Sequence, residues 1–225
     1  MVDEALRSAA LFRDLDDEAA AALQESMVAV DLHRGAVLFR EGDEGDRVYV
    51  VSDGKIKLGQ TSPDGRENLL ALLGPGQMFG ELSLFDPGPR SATATAVTDT
   101  KLLGLGHEDL LPLLSGRPGV ARGLLLQLAS RLRRSNDTLA DLVFSDVPGR
   151  VAKALLDLSS RFGVPSDEGV RVVHDLTQEE LAQLVGASRE TVNKALADFV
   201  GRNWLRLEPR SVTLLNVDRL RRRAR

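Results

Sequence analysis

The chain has no cysteine among its 225 residues. That excludes disulfides, iron–sulfur clusters and thiolate zinc sites, and it suits a reducing cytoplasm. It has only three histidines, His33, His107 and His174, widely separated along the chain. A metal-dependent barrel enzyme would need such ligands clustered, so no catalytic and no metal-binding residue is assigned. Long apolar runs are missing as well. The N-terminal stretch MVDEALRSAALFRDLDDEAAAAL is acidic and interrupted, with no basic region leading into an apolar segment and no span of about 20 apolar residues. A cytoplasmic protein without export signal or membrane helix is expected.

What is present suffices for packed cores, since 43% of the residues are hydrophobic and the length allows one large or two modest domains. The net charge of −4 is unevenly spread. Residues 1–146 carry 15 Lys and Arg against 23 Asp and Glu, whereas residues 147–225 carry 14 against 10. The basic portion holds the most specific signal in the chain, LTQEELAQLVGASRETVNKALADF over residues 176–199. Two amphipathic helices there are joined by a turn at Gly186, with the small Ala182 where they cross. Leu181, Leu184, Val185, Val192, Leu196 and Phe199 recur at helical spacing and form the core of the pair. Thr177 caps the first helix in a capping box with Glu180, and Ser188 caps the second.

This is the pattern of a helix-turn-helix, whose second helix enters the major groove of double-stranded DNA. Arg189 is placed to fork onto guanine O6 and N7, Glu190 to accept from a cytosine amino group, and Lys194 to reach another guanine or a phosphate. Ser188 and Thr191 read as phosphate anchors, and Thr177 is counted with them on the DNA side. The hairpin-like WLRLEPRSVTLLNV that follows makes the element winged, with Trp204 packing its base. The terminal DRLRRRAR is a basic run suited to backbone contact or to solvent.

From about Val28 to Leu105 the chain runs in short β-rich segments broken by glycine, with Asp53–Gly54 and Asp64–Gly65 as hairpin turns. An all-β barrel or sandwich is expected, preceded by short helices over Asp3–Ala9 and Asp16–Ser26. A long helix over about Val120–Phe144 carries a leucine stripe longer than one barrel needs, which suggests a dimer seam. It stops at a hinge formed by Asp146 and Pro148, where Asp146 caps the next helix. The fold class is therefore α+β, with a barrel over residues 1–116, a long helix and hinge over 117–146, and a winged helix-turn-helix over 147–225.

That order of parts resembles the cyclic AMP receptor protein and fumarate-nitrate regulator family of bacterial transcription factors. The likeness is densest in PGQMFGELSLFDPGPRSATATA, SDVPGRVAKALLDL and QLVGASRETVNKAL, and FDPGPR with DVPGRVAK is most similar to members from high-GC Gram-positive bacteria. The resemblance implies a jelly-roll barrel that binds cyclic AMP as an allosteric ligand rather than as a cofactor. Gly80, Glu81, Leu82, Ser83, Arg90 and Ser91 would surround its phosphate and ribose, with Arg90 on the phosphate and Glu81 on the ribose hydroxyl. Ser135 would meet the base in its own subunit and Asn136 the base of the partner, at positions where the best-known members have Thr and Ser. The absent cysteines exclude the oxygen-sensing iron–sulfur branch. Implied partners are an operator with TGTGA-like half-sites one helical turn apart, a second copy of the chain, and RNA polymerase. The competing expectation is a ligand-independent DNA-binding or architectural protein whose barrel serves only dimerisation.

Overall fold

Short glycine-punctuated strands do form, and they assemble into two four-stranded sheets in a computed structural model that describes residues 7, 9, 11, 12, 15–86 and 88–224. The expected helix over Asp3–Ala9 lies mostly outside the described residues. Helix α1 (Asp17–Ser26) begins where Asp16 accepts a hydrogen bond from the amide of Ala19 at 2.8 Å. The strands follow as β1 (Val28–Leu32), β2 (Val37–Phe39), β3 (Arg47–Asp53), β4 (Ile56–Thr61), β5 (Glu67–Leu73), β6 (Met78–Phe79), β7 (Thr93–Ala96) and β8 (Thr100–Gly106), with a single helical turn α2 (Leu82–Phe85) after β6. Gly54 and Gly65 turn the chain at φ +81° in both cases, as the two Asp-Gly pairs require.

The sheet orders are β1-β8-β3-β6 and β2-β7-β4-β5. Val51, Phe79 and Leu102 from the first sheet meet Ile56, Leu73, Ala94 and Ala96 from the second in one core. The other face of the first sheet is covered too, because Val48, Val50, Met78 and Leu105 pack under α1, α3 (His107–Gly116) and the start of the long helix α4 (Pro118–Phe144). Burial on both faces explains why RVYVV and KLLGL read as nearly continuous apolar runs. Full burial of Leu23, Leu110 and Leu124 against that face contributes about 1.5–3 kcal/mol each. The arrangement is the expected jelly-roll, made of two packed four-stranded sheets.

The chain forms two units, one of Met1–Gly65 with Leu70–Arg133, and one of Arg134–Arg225 with the short stretch Arg66–Leu69. In the second, α5 (Val147–Phe162) is followed by β9 (Gly163–Ser166), β10 (Gly169–Val173), α6 (Gln178–Val185), α7 (Arg189–Gly201), β11 (Leu205–Glu208), β12 (Ser211–Leu214) and α8 (Val217–Arg223). The hairpin anticipated after the recognition helix is half of a four-stranded sheet, β11-β12-β10-β9. The other two strands are invisible in the residue pattern because β9 is an exposed edge of four residues that includes Pro165. Trp204 packs the base of this wing by stacking on Phe199, ring centroids 5.3 Å apart. The basic tail is likewise a helix rather than a loose end: Leu220 is fully buried, and Asn216 accepts from the amide of Arg219 to cap it.

Asp146 starts α5 with Pro148 in its first turn, accepting from the Gly149 amide at 3.0 Å and pairing with Arg223 of α8 at 2.5 Å. Among the described residues no helix is long and apolar enough to cross a membrane.

Two stability effects follow. Gly186 sits at φ +68°, and a Cβ there would lie 3.0 Å from a Leu142 methyl. Gly186→Ala should therefore cost about 1 kcal/mol or more, read as a melting point several degrees lower by circular dichroism. The Arg223 hydrogen bond, followed by the Gly149 amide, holds the Asp146 carboxyl below its usual pKa. A depressed carboxylate pKa stabilises the fold above the ordinary value and loses that contribution as pH falls through the native one. Asp146→Asn should thus melt below the wild type near neutrality, and the gap should close as pH drops below about 4.

Candidate ligand pocket and nucleic-acid interface

The jelly-roll carries a cleft lined by Phe39, Leu58, Gly80, Leu82, Ser83, Pro89, Arg90, Ser91, Ala92 and Arg131. Arg90 is the charged centre of it and is 5% exposed. Its Nη1 donates to the Gly80 carbonyl at 2.9 Å and the Ser83 hydroxyl at 3.1 Å, and its Nη2 donates to the Arg47 carbonyl at 2.9 Å. Its Nε is buried without an acceptor. Burial pushes the Arg90 pKa below the ordinary guanidinium value, against the opposing pull of Tyr49, Asp46 and Glu81. The carboxylate nearest the guanidinium, on Asp46, stands 4.0 Å away on a largely exposed side chain.

Glycines make this packing possible. Gly80 has φ +81°, and a Cβ there would meet Arg90 Nη1 at 2.7 Å. At Gly45 a Cβ would come 2.3 Å from the Ser83 hydroxyl. Glu81 follows Gly80 and is completely buried. Its Oε1 pairs with Arg131, while its Oε2 has no hydrogen-bond partner. Arg131 also donates to the Met78 carbonyl at 2.9 Å.

Of the residues expected around a ligand, the structure gathers Gly80, Leu82, Ser83, Arg90 and Ser91 in the cleft wall, with Glu81 within the same turn of chain. Ser135 and Asn136 are exposed on α4 and do not line it. Sequence reasoning missed Arg131, Phe39 and the Arg47 carbonyl. Arg131 lies one helical turn before Ser135, a spacing that places both near one face and could have flagged it.

The helix-turn-helix forms as its residues require. Thr177 and Glu180 close the capping box, with Glu180 accepting from the Thr177 amide at 2.8 Å. At the turn, the Gly186 amide bonds to Gln183 and the Ala187 amide to Ala182, both at 3.1 Å, which completes a Schellman motif. Leu181, Val185, Val192, Leu196 and Phe199 are buried and Leu184 is half-buried. Arg189, Glu190, Thr191 and Lys194 all lie exposed on α7. Lys194 and Glu190 pair at 2.7 Å, and the Ser188 and Thr191 hydroxyls bond to each other at 2.8 Å. Such exposed i,i+4 pairs are worth a few tenths of a kcal/mol, so they yield readily to a stronger partner.

An arginine in the first turn of α5 ties the parts of the second unit together. Arg150 donates to the Ser145 carbonyl at 2.8 Å, to Val185 at 3.1 Å and to Gly186 at 3.2 Å. Lys153 pairs with Asp141 at 2.6 Å. The end of α4 and the turn of the helix-turn-helix are thus held by one side chain on α5.

Residues 29–117 match the cyclic nucleotide-binding domain family, and residues 149–223 match the Crp-like helix-turn-helix domain family. The chain is 54% identical over 224 residues to a CRP-like cAMP-activated global transcriptional regulator of Mycobacterium tuberculosis, covering 100% of both. It is 43% identical over 179 residues to the cyclic AMP receptor protein of Thermus thermophilus, covering 80% of each. Among solved structures, the Thermus thermophilus catabolite activator protein aligns with a TM-score of 0.56 at 38% identity, over 96% of this chain and 98% of that one. With an exposed helix-turn-helix and a jelly-roll built around a buried arginine, the chain belongs to the cyclic AMP receptor protein family of bacterial transcription regulators.

Proposed function

We propose that this protein is a cyclic-AMP-responsive transcription regulator of the cytoplasm that reads a TGTGA-like palindrome as a homodimer. The observation that carries the reading is a pair of orphaned polar atoms, Arg90 Nε in the cleft wall and Glu81 Oε2 in the turn between cleft residues Gly80 and Leu82, on side chains that are 5% and 0% exposed. A buried donor and a buried acceptor without partners are costly unless a ligand supplies them. A cyclic phosphate supplies an anion for Arg90, and the adjoining ribose hydroxyl supplies a donor for Glu81.

Dimerisation is supported by Leu125, Leu132 and Leu139, seven residues apart on α4 and 66%, 63% and 62% exposed. A heptad of exposed leucines fits a coiled-coil seam. Ser135 and Asn136 fall within that stretch, where a second helix would bring them to a base. Helix α4 carries Arg131 at the cleft and ends at Phe144, next to Ser145, whose carbonyl Arg150 links to the turn before α7. Ligand-biased movement of α4 would therefore reach the recognition helix through Arg150 and the Asp146 cap. RNA polymerase is the further partner of a regulator that activates.

On the DNA side, Arg189 reads guanine, Glu190 reads cytosine and Lys194 leaves its pairing with Glu190 to reach guanine or phosphate.

The test is fluorescence anisotropy with a labelled TGTGA palindrome, with and without cyclic AMP. Cyclic AMP should tighten binding by the wild type at least several-fold, and Arg90→Ala should abolish the response. Affinity indifferent to nucleotide and to the substitution would leave a ligand-independent DNA-binding protein instead. In the same assay Arg189→Ala should lose about 1–3 kcal/mol on the operator and relax the preference for the guanine it contacts.

A further inference from the structure

The Arg90 guanidinium lies over the ring of Phe39, 4.2 Å from the centroid. This contact stands apart from the hydrogen bonds. Phe39 lines the cleft and is backed by Tyr49 and Phe79, with ring centroids 6.1 Å and 6.0 Å away. Its position is not what strand alternation dictates. Val37 pairs with Thr95 and is 40% exposed, so Phe39, two residues on, would share that outward face in a regular strand. Between the two the register shifts, and Phe39 pairs with Ala94, which is fully buried. The extra residue turns the ring inward, to where the arginine passes.

The arginine needs such a neighbour. Among the described residues one carboxylate lies within 4.0 Å of it, and that one is largely exposed and screened. Its remaining partners are two carbonyls and one hydroxyl, and its Nε has none. A guanidinium is planar and weakly hydrated, and its flat face is attracted to the negative face of an aromatic ring. Stacking also removes the rotational freedom of a long side chain, leaving its edge to meet an anion.

We propose that Phe39 is a positioning residue for the ligand's phosphate, acting through the stacked guanidinium of Arg90. The proposal rests on the reading that Arg90 holds a cyclic phosphate. A desolvated contact of this kind corresponds to about tenfold in affinity.

Isothermal titration of the full-length chain with cyclic AMP tests it, using Phe39→Leu to keep apolar bulk without a ring and Phe39→Tyr to keep the ring. Phe39→Leu should bind about tenfold more weakly, and Phe39→Tyr should stay close to the wild type. In protein labelled with 15N-arginine, the Arg90 Nε–H resonance, assigned by its loss in Arg90→Ala, should move in Phe39→Leu and hold in Phe39→Tyr. Thermal melts identify any variant that fails to fold, and the resonance and the tyrosine variant then decide. Binding by Phe39→Leu equal to the wild type overturns the proposal while leaving the cyclic phosphate reading intact, as does equal weakening in both variants. A wild type that binds no cyclic nucleotide overturns that reading, and the proposal with it.

Discussion

A buried guanidinium with no buried carboxylate within 4.0 Å among the described residues is the constraint around which the N-terminal unit is built. Arg90 is held by the carbonyls of Gly80 and Arg47, the hydroxyl of Ser83 and the face of Phe39. Dipoles and a ring can orient a cation, but they do not neutralise it. The neighbourhood is shaped accordingly. Gly80 and Gly45 lack side chains where a Cβ would strike Arg90 or Ser83, and β2 is bulged where Phe39 must face inward. The result is a buried guanidinium whose Nε has no hydrogen-bond partner, in a chain similar to relatives named for their response to cyclic AMP.

The second unit depends on a similar device. Arg150 gathers the Ser145 carbonyl beyond α4 and the Val185 and Gly186 carbonyls at the end of α6, places where helix dipoles favour a positive charge. Because these are backbone acceptors, the arginine reports where the chain lies rather than which side chains it carries. Asp146 adds the cap of α5 and, through Arg223, fastens the C-terminal helix to the same point. The segment between long helix and DNA-reading element is therefore a bonded junction.

Much of this was legible in the residues. Caps at Asp146, Thr177 and Ser188 formed as expected, because a capping side chain bonds to amides within three residues and needs no distant partner. The same holds for the turns at Gly54, Gly65 and Gly186, where a positive φ selects its residue locally. Elements with weak local signals were missed. Strands β9 and β10 precede α6 in a stretch that reads as a loop, and α8 reads as a loose basic run. Each is held by partners far along the chain: β10 by β12, and α8 by a buried Leu220 and the Asp146 contact.

The resemblance to a known family pointed to Arg90, whereas the sequence by itself determined the order of parts and the exposure of Arg189, Glu190 and Lys194 on a capped helix. These follow from periodicity, capping chemistry and composition, which act within a few residues. Only the tertiary structure decided what surrounds the arginine. Glu81 pairs with Arg131 across 50 residues of chain rather than with Arg90, and Phe39 reaches Arg90 through a bulge that alternation conceals. The physical reason is that a buried charge is satisfied by whichever carbonyls, hydroxyls and ring faces the fold brings near it. Pairings of that kind are chosen by packing and leave no pattern along the chain.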